Sequence, residues 1–438
     1  MEWQWAALLI FGTFLFAMTI GIPIAFAFMI INVIGVYLFW GGEPGLRQLI
    51  FSLYQSVASF TFLPLPLFIL MGEILFHSGV AIRTIDTIDR WLGRMPGRLG
   101  LLAVASGTGL SVLTGSSSAS TAVLGSVLVP DMEKRGYKKP MSLGPILGSG
   151  GLAVMIPPST LAVLLASLAD ISVAEVLIGG IVPGLMMSAL YSAYIVTRCR
   201  LQPSIAPTYE APPAPLSEKL MASVKYILPL GLIVFLVTGV IFLGVATPSE
   251  AAATGCFGSF IVAVAYKGMK WEVMKKIFTS TIEIVVMLLM IIASAVAFSQ
   301  ILAFSGASAG MVTFVMGIPL PPIGIIIVTQ LILLVLGMFV DVVPMMMITI
   351  PIYMPIVHTL GFNPVWFGIL MLLNMVMGMI TPPFGIGLFV MKGVAPRDTT
   401  IGDIYRASLP FVYCDLVVLA LLIAFPSLVL WLPGLIRG

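Results

Sequence analysis

The sequence predicts an all-α membrane protein of two inverted repeats. It has about ten transmembrane helices, two re-entrant hairpins and two broken helices. Three observations predict this: the composition, the placement of the basic residues, and a set of motifs that recurs at a fixed offset. Of 438 residues, 60% are hydrophobic and 9% are charged, against about 25% charged in a soluble globular chain. Apolar runs of the roughly 20 residues needed to cross a bilayer recur along the whole length. A β-barrel would instead alternate polar and apolar residues over about 10 positions per strand. The basic residues sit between the apolar runs, so the net charge of +3 says little about partners. No basic, aromatic-rich surface points to nucleic acid.

The first spans fall at 4–20, 22–40 and 58–77. The opening MEWQWAALLIF lacks a basic region and a small-residue cleavage site, so it is expected to remain as the first span. Trp3 and Trp5 are placed at the interface. Residues 78–98 are polar and carry Arg83, Arg90, Arg94 and Arg98. The apolar, small-residue stretch 99–130 follows and runs into Glu133-Lys134-Arg135 and Lys138-Lys139. Spans at 142–169 and 174–197 lead to a Pro-rich linker, IAPTYEAPPAP, within 199–223. The second half gives spans at 226–245, 249–266 and 279–303, a softer segment at 305–320, a hairpin at 321–355, and spans at 365–391 and 408–432.

Charge placement decides which runs cross. If 99–130 crossed, the arginines before it and the lysines after it would lie on opposite sides. If 99–130 and 321–355 both return to the face they entered, every Lys and Arg except Arg47 and Arg437 lies on the cytoplasmic side, as the positive-inside rule requires. Both termini then face outward. Twelve plain crossings would scatter the basic loops. Irregular backbone at membrane depth is tolerated only inside protein or beside a watery cavity, so two such hairpins point to a transport pathway.

The halves match at an offset of 225 positions. MIPPSTLAVLL at 155–165 corresponds to ITPPFGIGLFV at 380–390, Val129-Pro130 to Met354-Pro355, and Gly136-Tyr137 to Gly361-Phe362. Residues 1–198 form the first repeat and 224–438 the second. Five crossings per half turn the second repeat upside down, which places a binding site near the midplane where interrupted helices meet.

The candidate site follows. The first hairpin holds GTGLSVLTGSSSAS at 107–120. Small residues allow close packing and leave hard oxygen ligands suited to a cation such as Na⁺. LGSGGLAVMIPPS at 147–159 contains Gly150, Gly151, Pro157 and Pro158, which loosen a helix and free its carbonyls. The second hairpin carries Asp341 in GMFVDVVPMMM, at the offset partner of Ser116. A carboxylate in apolar surroundings is a functional candidate, although it also suits capping of hairpin backbone. Ser116, Ser118, Gly150, Val154, Asp341, Gly378 and Thr381 are the hydroxyl, carboxylate or open-backbone positions of these motifs. Substrate contacts are placed at Ser117, position 119, Pro157, Asn374 and Pro382; position 119 is Ala119, which offers only backbone. Glu283 and Asp415 are further interior acids. Cys199, Cys256 and Cys414 give neither a disulfide framework nor metal spacing. His77 and His358 alone make no metal site, and no catalytic or nucleotide-binding motif points to an enzyme or an ATP-driven pump.

These residues resemble the large membrane subunit of the tripartite ATP-independent periplasmic (TRAP) transporters, the DctM-like family. The resemblance covers essentially the whole chain. It is carried by GIPIAFAF, GSSSAS, MIPPS, GMFVDVVP, ITPPFGIGLFV and the final LPGL. It implies a permease of the bacterial inner membrane that takes up organic acids with Na⁺ as coupling ion and no other cofactor. It implies an elevator in which hairpins and broken helices carry the site past a fixed scaffold, and, by motif match, Na⁺ ligands at Ser116 and Ser118 with Gly150 and Val154, and at Asp341 with Gly378 and Thr381. The partners it implies are a small four-helix membrane subunit (DctQ-like) and a periplasmic substrate-binding protein (DctP-like), besides membrane lipid. Val342-Val343 after Asp341 and AVMIPPS at 153–159 depart from the family pattern. A self-sufficient Na⁺/dicarboxylate symporter or ion antiporter, and a channel lined by the hairpins, are the competing readings. C4-dicarboxylates, sialic acid, other sugar acids and ectoine all fit as substrate.

Overall fold

The computed structural model describes residues 2–93, 95–114, 117–207, 215–266 and 268–436. Ser116, Arg94, Lys267, Arg437 and linker residues 208–214 lie outside the described residues. Helices make up the regular structure throughout. Among the described residues, seven helices are long and apolar enough to cross a membrane, or eight if one bent pair is a single span. Six further apolar helices, among them Trp3–Thr19 and Ile24–Phe39, are shorter.

Two pairs of consecutive helices form hairpins. The first joins Arg98–Thr114 to Ser117–Lys134, and the second joins Pro322–Gly337 to Val342–Thr359. Each is followed by a broken helix. The first is Lys139–Met155 and Thr160–Leu168, bent by 48°. The second is Pro364–Met379 and Ile386–Val394. The returning helices of the hairpins start and end 225 positions apart, at 117 and 342 and at 134 and 359. The broken helices start 225 apart as well, at 139 and 364. The Pro157-Pro158 and Pro382-Pro383 bonds are both cis.

Several boundaries differ from expectation, each for a physical reason. Residues 41–57 contain a helix, Glu43–Val57, and the polar 78–98 stretch contains Val80–Leu92. Both are amphipathic and too polar to read as spans. The span expected at 279–303 is the N-terminally longer Trp271–Phe304, 34 residues that begin in a charged turn. Ala307–Met316 fills the softer 305–320 segment, and the span at 226–245 begins within the linker, at Leu216. The 408–432 span is two helices, Ile401–Ala424 and Ser427–Ile436. Pro426 has no N–H to continue the ladder, and the apolar run hides that break.

Several of the basic segments contact one another. Leu99 N–H donates to the Tyr137 hydroxyl at 3.4 Å, so the first hairpin ends where it began. Arg98, buried, holds Asp89 through Nε–Oδ1 at 2.8 Å and Nη2–Oδ2 at 2.7 Å. Arg83 lies over the rings of Tyr226 and Tyr266, and Trp91 Nε1 donates to Ser223 Oγ at 2.8 Å. Lys138 N–H donates to the Ile205 carbonyl at 2.9 Å. Lys139 Nζ reaches Glu133 at 2.9 Å, Thr399 Oγ1 at 2.7 Å and Asp398 at 3.0 Å. The hydrogen bond from Lys139 holds the Asp398 carboxyl below its usual range. Loops from both halves of the chain thus meet on a single face.

Two helix groups share one continuous core. In one, Ile24–Phe39 and Trp271–Phe304 pack through Phe28 and Phe298, 5.0 Å between ring centroids. Asn32 Nδ2 also donates there to the Ser294 carbonyl at 2.8 Å. Glu43–Val57 joins this group through Ser52 Oγ, which donates to Gln300 Oε1 at 2.8 Å. The other group surrounds Lys139–Met155, in which every residue from Met141 onward is buried.

Candidate functional site

The site is built from interrupted helices and the absence of side chains between them. Pro157 and Pro158 have no N–H, so the carbonyls of Ala153 and Val154 lose the donors a continuous helix supplies. Ser159 then starts the second half, its hydroxyl accepting from Ala162 N–H at 3.2 Å. In the second broken helix Pro382 and Pro383 withdraw the donors for Gly378 and Met379. Thr381 N–H takes over the Gly378 carbonyl at 3.2 Å, and its hydroxyl donates to the Met377 carbonyl at 2.6 Å.

Glycines let the hairpins seat on these ends. A Cβ on Gly150 would lie 2.2 Å from Thr121 Oγ1 and 3.2 Å from the Ser117 carbonyl. The tip-side end of the first hairpin therefore rests directly on the first broken helix. A Cβ on Gly378 would lie 2.8 Å from Gly337 Cα, so the second hairpin meets its own broken helix backbone to backbone. Gly151 packs on Val376 and brings the two broken helices together. Each hairpin also touches the far half of the other broken helix: Ser117–Lys134 packs on Ile386–Val394, and Val342–Thr359 on Thr160–Leu168.

Of the expected site residues, the structure brings Ser117, Gly150 and Val154 to the first junction, all buried. Pro157 is buried in the break and Ser118 is half-buried. At the second junction lie Asn374, Gly378 and Thr381, all buried, with half-buried Pro382 beyond. Asp341 is exposed at the second tip and caps the helix Val342–Thr359, with Oδ1 accepting from Val342 N–H at 2.8 Å. Among the described residues, its second oxygen has no hydrogen-bond partner. Ala119 has no hydroxyl to offer.

Four participants were not singled out from sequence. Thr121 touches Gly150, and among the described residues the buried hydroxyls of Ser106 and Ser120 have no hydrogen-bond partner. Gln330 on the second hairpin accepts from Asn374 Nδ2 at its carbonyl, 2.7 Å, and at Oε1, 3.1 Å. Asn374 Oδ1 and Gln330 Nε2 are buried and have no hydrogen-bond partner among the described residues. An amide inside IIIVTQLILLVLG was the available signal, because a polar side chain at that depth needs a reason. Buried hydroxyls and amides with unused capacity, together with helix ends of both polarities, can bind a small hard cation beside an anion.

The whole chain has counterparts. Residues 11–428 match the family described as the tripartite ATP-independent periplasmic transporter, DctM component. The chain belongs to the DctM family. It is 32% identical over 391 residues to the C4-dicarboxylate TRAP transporter large permease protein DctM of Pseudomonas aeruginosa, covering 89% of this chain and 90% of that one. It is 28% identical to the isethionate TRAP transporter permease protein DctMQ of Oleidesulfovibrio alaskensis, over 97% of this chain and 66% of that one. About a third of that DctM-family relative therefore lies outside the match. The fold is shared with the crystal structure of the Alcanivorax borkumensis YdaH transporter, with a TM-score of 0.62, 15% identity, and 88% and 89% of the two chains covered. The chain is thus a large permease subunit of a TRAP transporter, a membrane transport protein and not an enzyme.

Proposed function

We propose that this permease subunit carries a small organic anion into the cell, coupled to Na⁺ and supplied by a periplasmic binding protein. The seating of each hairpin tip on a glycine of a broken helix is the observation that carries the reading. It puts open carbonyls, hydroxyls and helix N-termini around two junctions linked by Gly151 and Val376. An organic carboxylate is costly to desolvate. Bound cations offset its charge, so anion and Na⁺ favour the same loaded state. The hairpins and broken helices form the moving body of an elevator, and the group around Trp271–Phe304 forms the scaffold. Residues 1–198 and 224–438 are inverted repeats, and both termini face the periplasm from the inner membrane. Na⁺ binds at Ser116 and Ser118 with Gly150 and Val154, and at Asp341 with Gly378 and Thr381. Substrate lies against Ser117, the backbone of position 119, Pro157, Asn374 and Pro382. A small DctQ-like membrane subunit completes the scaffold; the unmatched third of the DctMQ relative supports this partner.

The test is reconstitution with the small subunit, the binding protein and a Na⁺ gradient. Uptake is expected only with all three. Asp341→Asn is the informative variant, because Asn caps a helix as well as Asp does. It should raise the half-saturating Na⁺ concentration about tenfold, the scale of one charge-assisted ligand at roughly 1.5–3 kcal/mol. Unchanged Na⁺ activation would remove Asp341 from the cation site.

Sidedness has its own measurement. Arg90 and Lys138 are both exposed. Cysteines replacing them should react with an impermeant maleimide only from the cytoplasmic side. Labelling of the two from opposite sides would mean that 99–130 crosses.

A further inference from the structure

Four side chains gather at one end of the span Leu216–Phe242 and take no part in transport as proposed above. The Tyr226 and Tyr266 rings stack, 5.5 Å between centroids and 27° between planes. The Arg83 guanidinium lies over both, 6.0 Å from the Tyr226 centroid and 5.6 Å from that of Tyr266. Lys225 Nζ lies 5.4 Å from the same Tyr226 ring. A cation over a ring face is held by the ring's quadrupole and uses none of its N–H donors, of which a guanidinium has five. Among the described residues no carboxylate pairs with Arg83 or Lys225 and no acceptor takes their N–H groups. Asp89, on the same helix as Arg83, is taken by Arg98, and Asp86 is exposed. Thr84 Oγ1 donates to the Tyr226 carbonyl at 3.4 Å and Trp91 Nε1 to Ser223 Oγ at 2.8 Å, so Val80–Leu92 lies fixed against the start of the span.

The span continues away from these cations as a lipid-type surface. It is the least buried of the seven apolar spans found among the described residues. Val224, Leu228, Leu232 and Phe235 are all exposed and, three or four residues apart, share one face. From Lys225 to Phe235 the stripe rises about 15 Å at 1.5 Å per residue, half of the roughly 30 Å hydrocarbon core. A stripe one leaflet long that ends at two cations places those cations at the membrane surface, level with the headgroup phosphates.

We propose that Arg83 and Lys225, on their Tyr226–Tyr266 platform, bind the phosphate of an anionic phospholipid whose acyl chain lies along the stripe from Val224 to Phe235. The occupant is argued from charge complementarity and from the length of the stripe. The guanidinium edge takes two phosphate oxygens in parallel, and Lys225 adds a point charge. Two cations against one phosphodiester favour a headgroup with net negative charge over one that carries its own amine. A soluble phosphate would meet the cations and gain nothing from the stripe. A helix of another subunit would cover the stripe and bring no phosphate. On the topology proposed above the lipid belongs to the cytoplasmic leaflet, but its binding depends on neither Na⁺ nor substrate.

The experiment titrates the full chain, purified in mild detergent, with dioleoyl phosphatidylglycerol, dioleoyl phosphatidylcholine and soluble glycerol phosphate. Binding is read by native mass spectrometry and by melting temperature. Wild type is expected to bind phosphatidylglycerol several-fold more tightly than phosphatidylcholine and to melt several degrees higher with it. Arg83→Gln combined with Lys225→Gln should weaken phosphatidylglycerol binding about tenfold and abolish the gain in melting temperature, while melting as wild type does without lipid. Arg83→Lys keeps the charge and loses the fork, so it should bind several-fold more weakly than wild type. Lys134→Gln combined with Arg406→Gln removes the same charge at two other exposed positions and should bind as wild type does. An equal loss in that control would mean that net charge, not this cluster, attracts the lipid. Equal binding of the two phospholipids would mean that the cluster does not read the headgroup. Glycerol phosphate that displaces the lipid at equal concentration would assign the cluster to a soluble anion, and loss of the lipid when the small subunit co-purifies would assign the face to protein. Each of these four results overturns the proposal.

Discussion

Gly378→Val is expected to reduce uptake at least about tenfold and to lower the melting temperature of the purified permease. The reason is local and geometric. The first Cβ of any side chain at position 378 would sit 2.8 Å from Gly337 Cα, 3.0 Å from its carbonyl carbon and 3.2 Å from its oxygen. All three atoms are backbone, so no rotamer change relieves the clash. The helix Pro322–Gly337 would have to lift from Pro364–Met379, and the Asn374–Gln330 amide pair would be pulled apart with it. Overpacking of this kind costs about 1–3 kcal/mol, and each 1.36 kcal/mol is tenfold in a population or rate. Gly393→Ala is the control, because nothing lies within 4 Å of its Cβ position. It should transport and melt as wild type does. Equal uptake by Gly378→Val and Gly393→Ala would show that backbone contact at the second junction is dispensable.

That junction also marks the limit of what the sequence makes legible. Gly378, Thr381 and Asn374 stand out because a glycine, a hydroxyl and an amide interrupt an apolar run beside Pro382-Pro383. Their partners do not. Gln330 lies 44 positions before Asn374, and only folding shows that the two share a bond. Thr121 is one more hydroxyl in a Ser-rich stretch until Gly150 is seen against it. The expectation of hairpins came from charge, because charge, not hydropathy, fixes the side to which a chain returns. Glu43–Val57 and Val80–Leu92 were not, since a surface helix never produces a span-length apolar run. Asp341 shows the opposite case. Its apolar context suggests burial, yet its place ahead of the returning helix leaves it exposed.

The root of the first hairpin should be as sensitive as its tip, for an electrostatic reason. Arg98 is buried at the start of the helix, and its guanidinium grips Asp89 with two parallel bonds while Nη2 also donates to the Asp89 carbonyl at 2.9 Å. Such fork geometry is specific to Arg and carboxylate. Asp89→Ala removes the carboxylate and leaves the cation in place. Losing one partner of a fully buried pair costs roughly 3–5 kcal/mol. Asp89 keeps some contact with water, so about 2–3 kcal/mol is expected here, enough to loosen Arg98–Thr114 from Val80–Leu92. The purified variant should melt several degrees lower, and a cysteine at Leu99, buried in wild type, should become reactive to a maleimide. Asp89→Ala combined with Arg98→Met should recover most of the stability, because a buried apolar side chain needs no counter-charge. Recovery in the double variant separates charge from packing. If Asp89→Ala melts as wild type does, the pair is incidental and the hairpin is anchored by the Leu99–Tyr137 contact and helix packing alone.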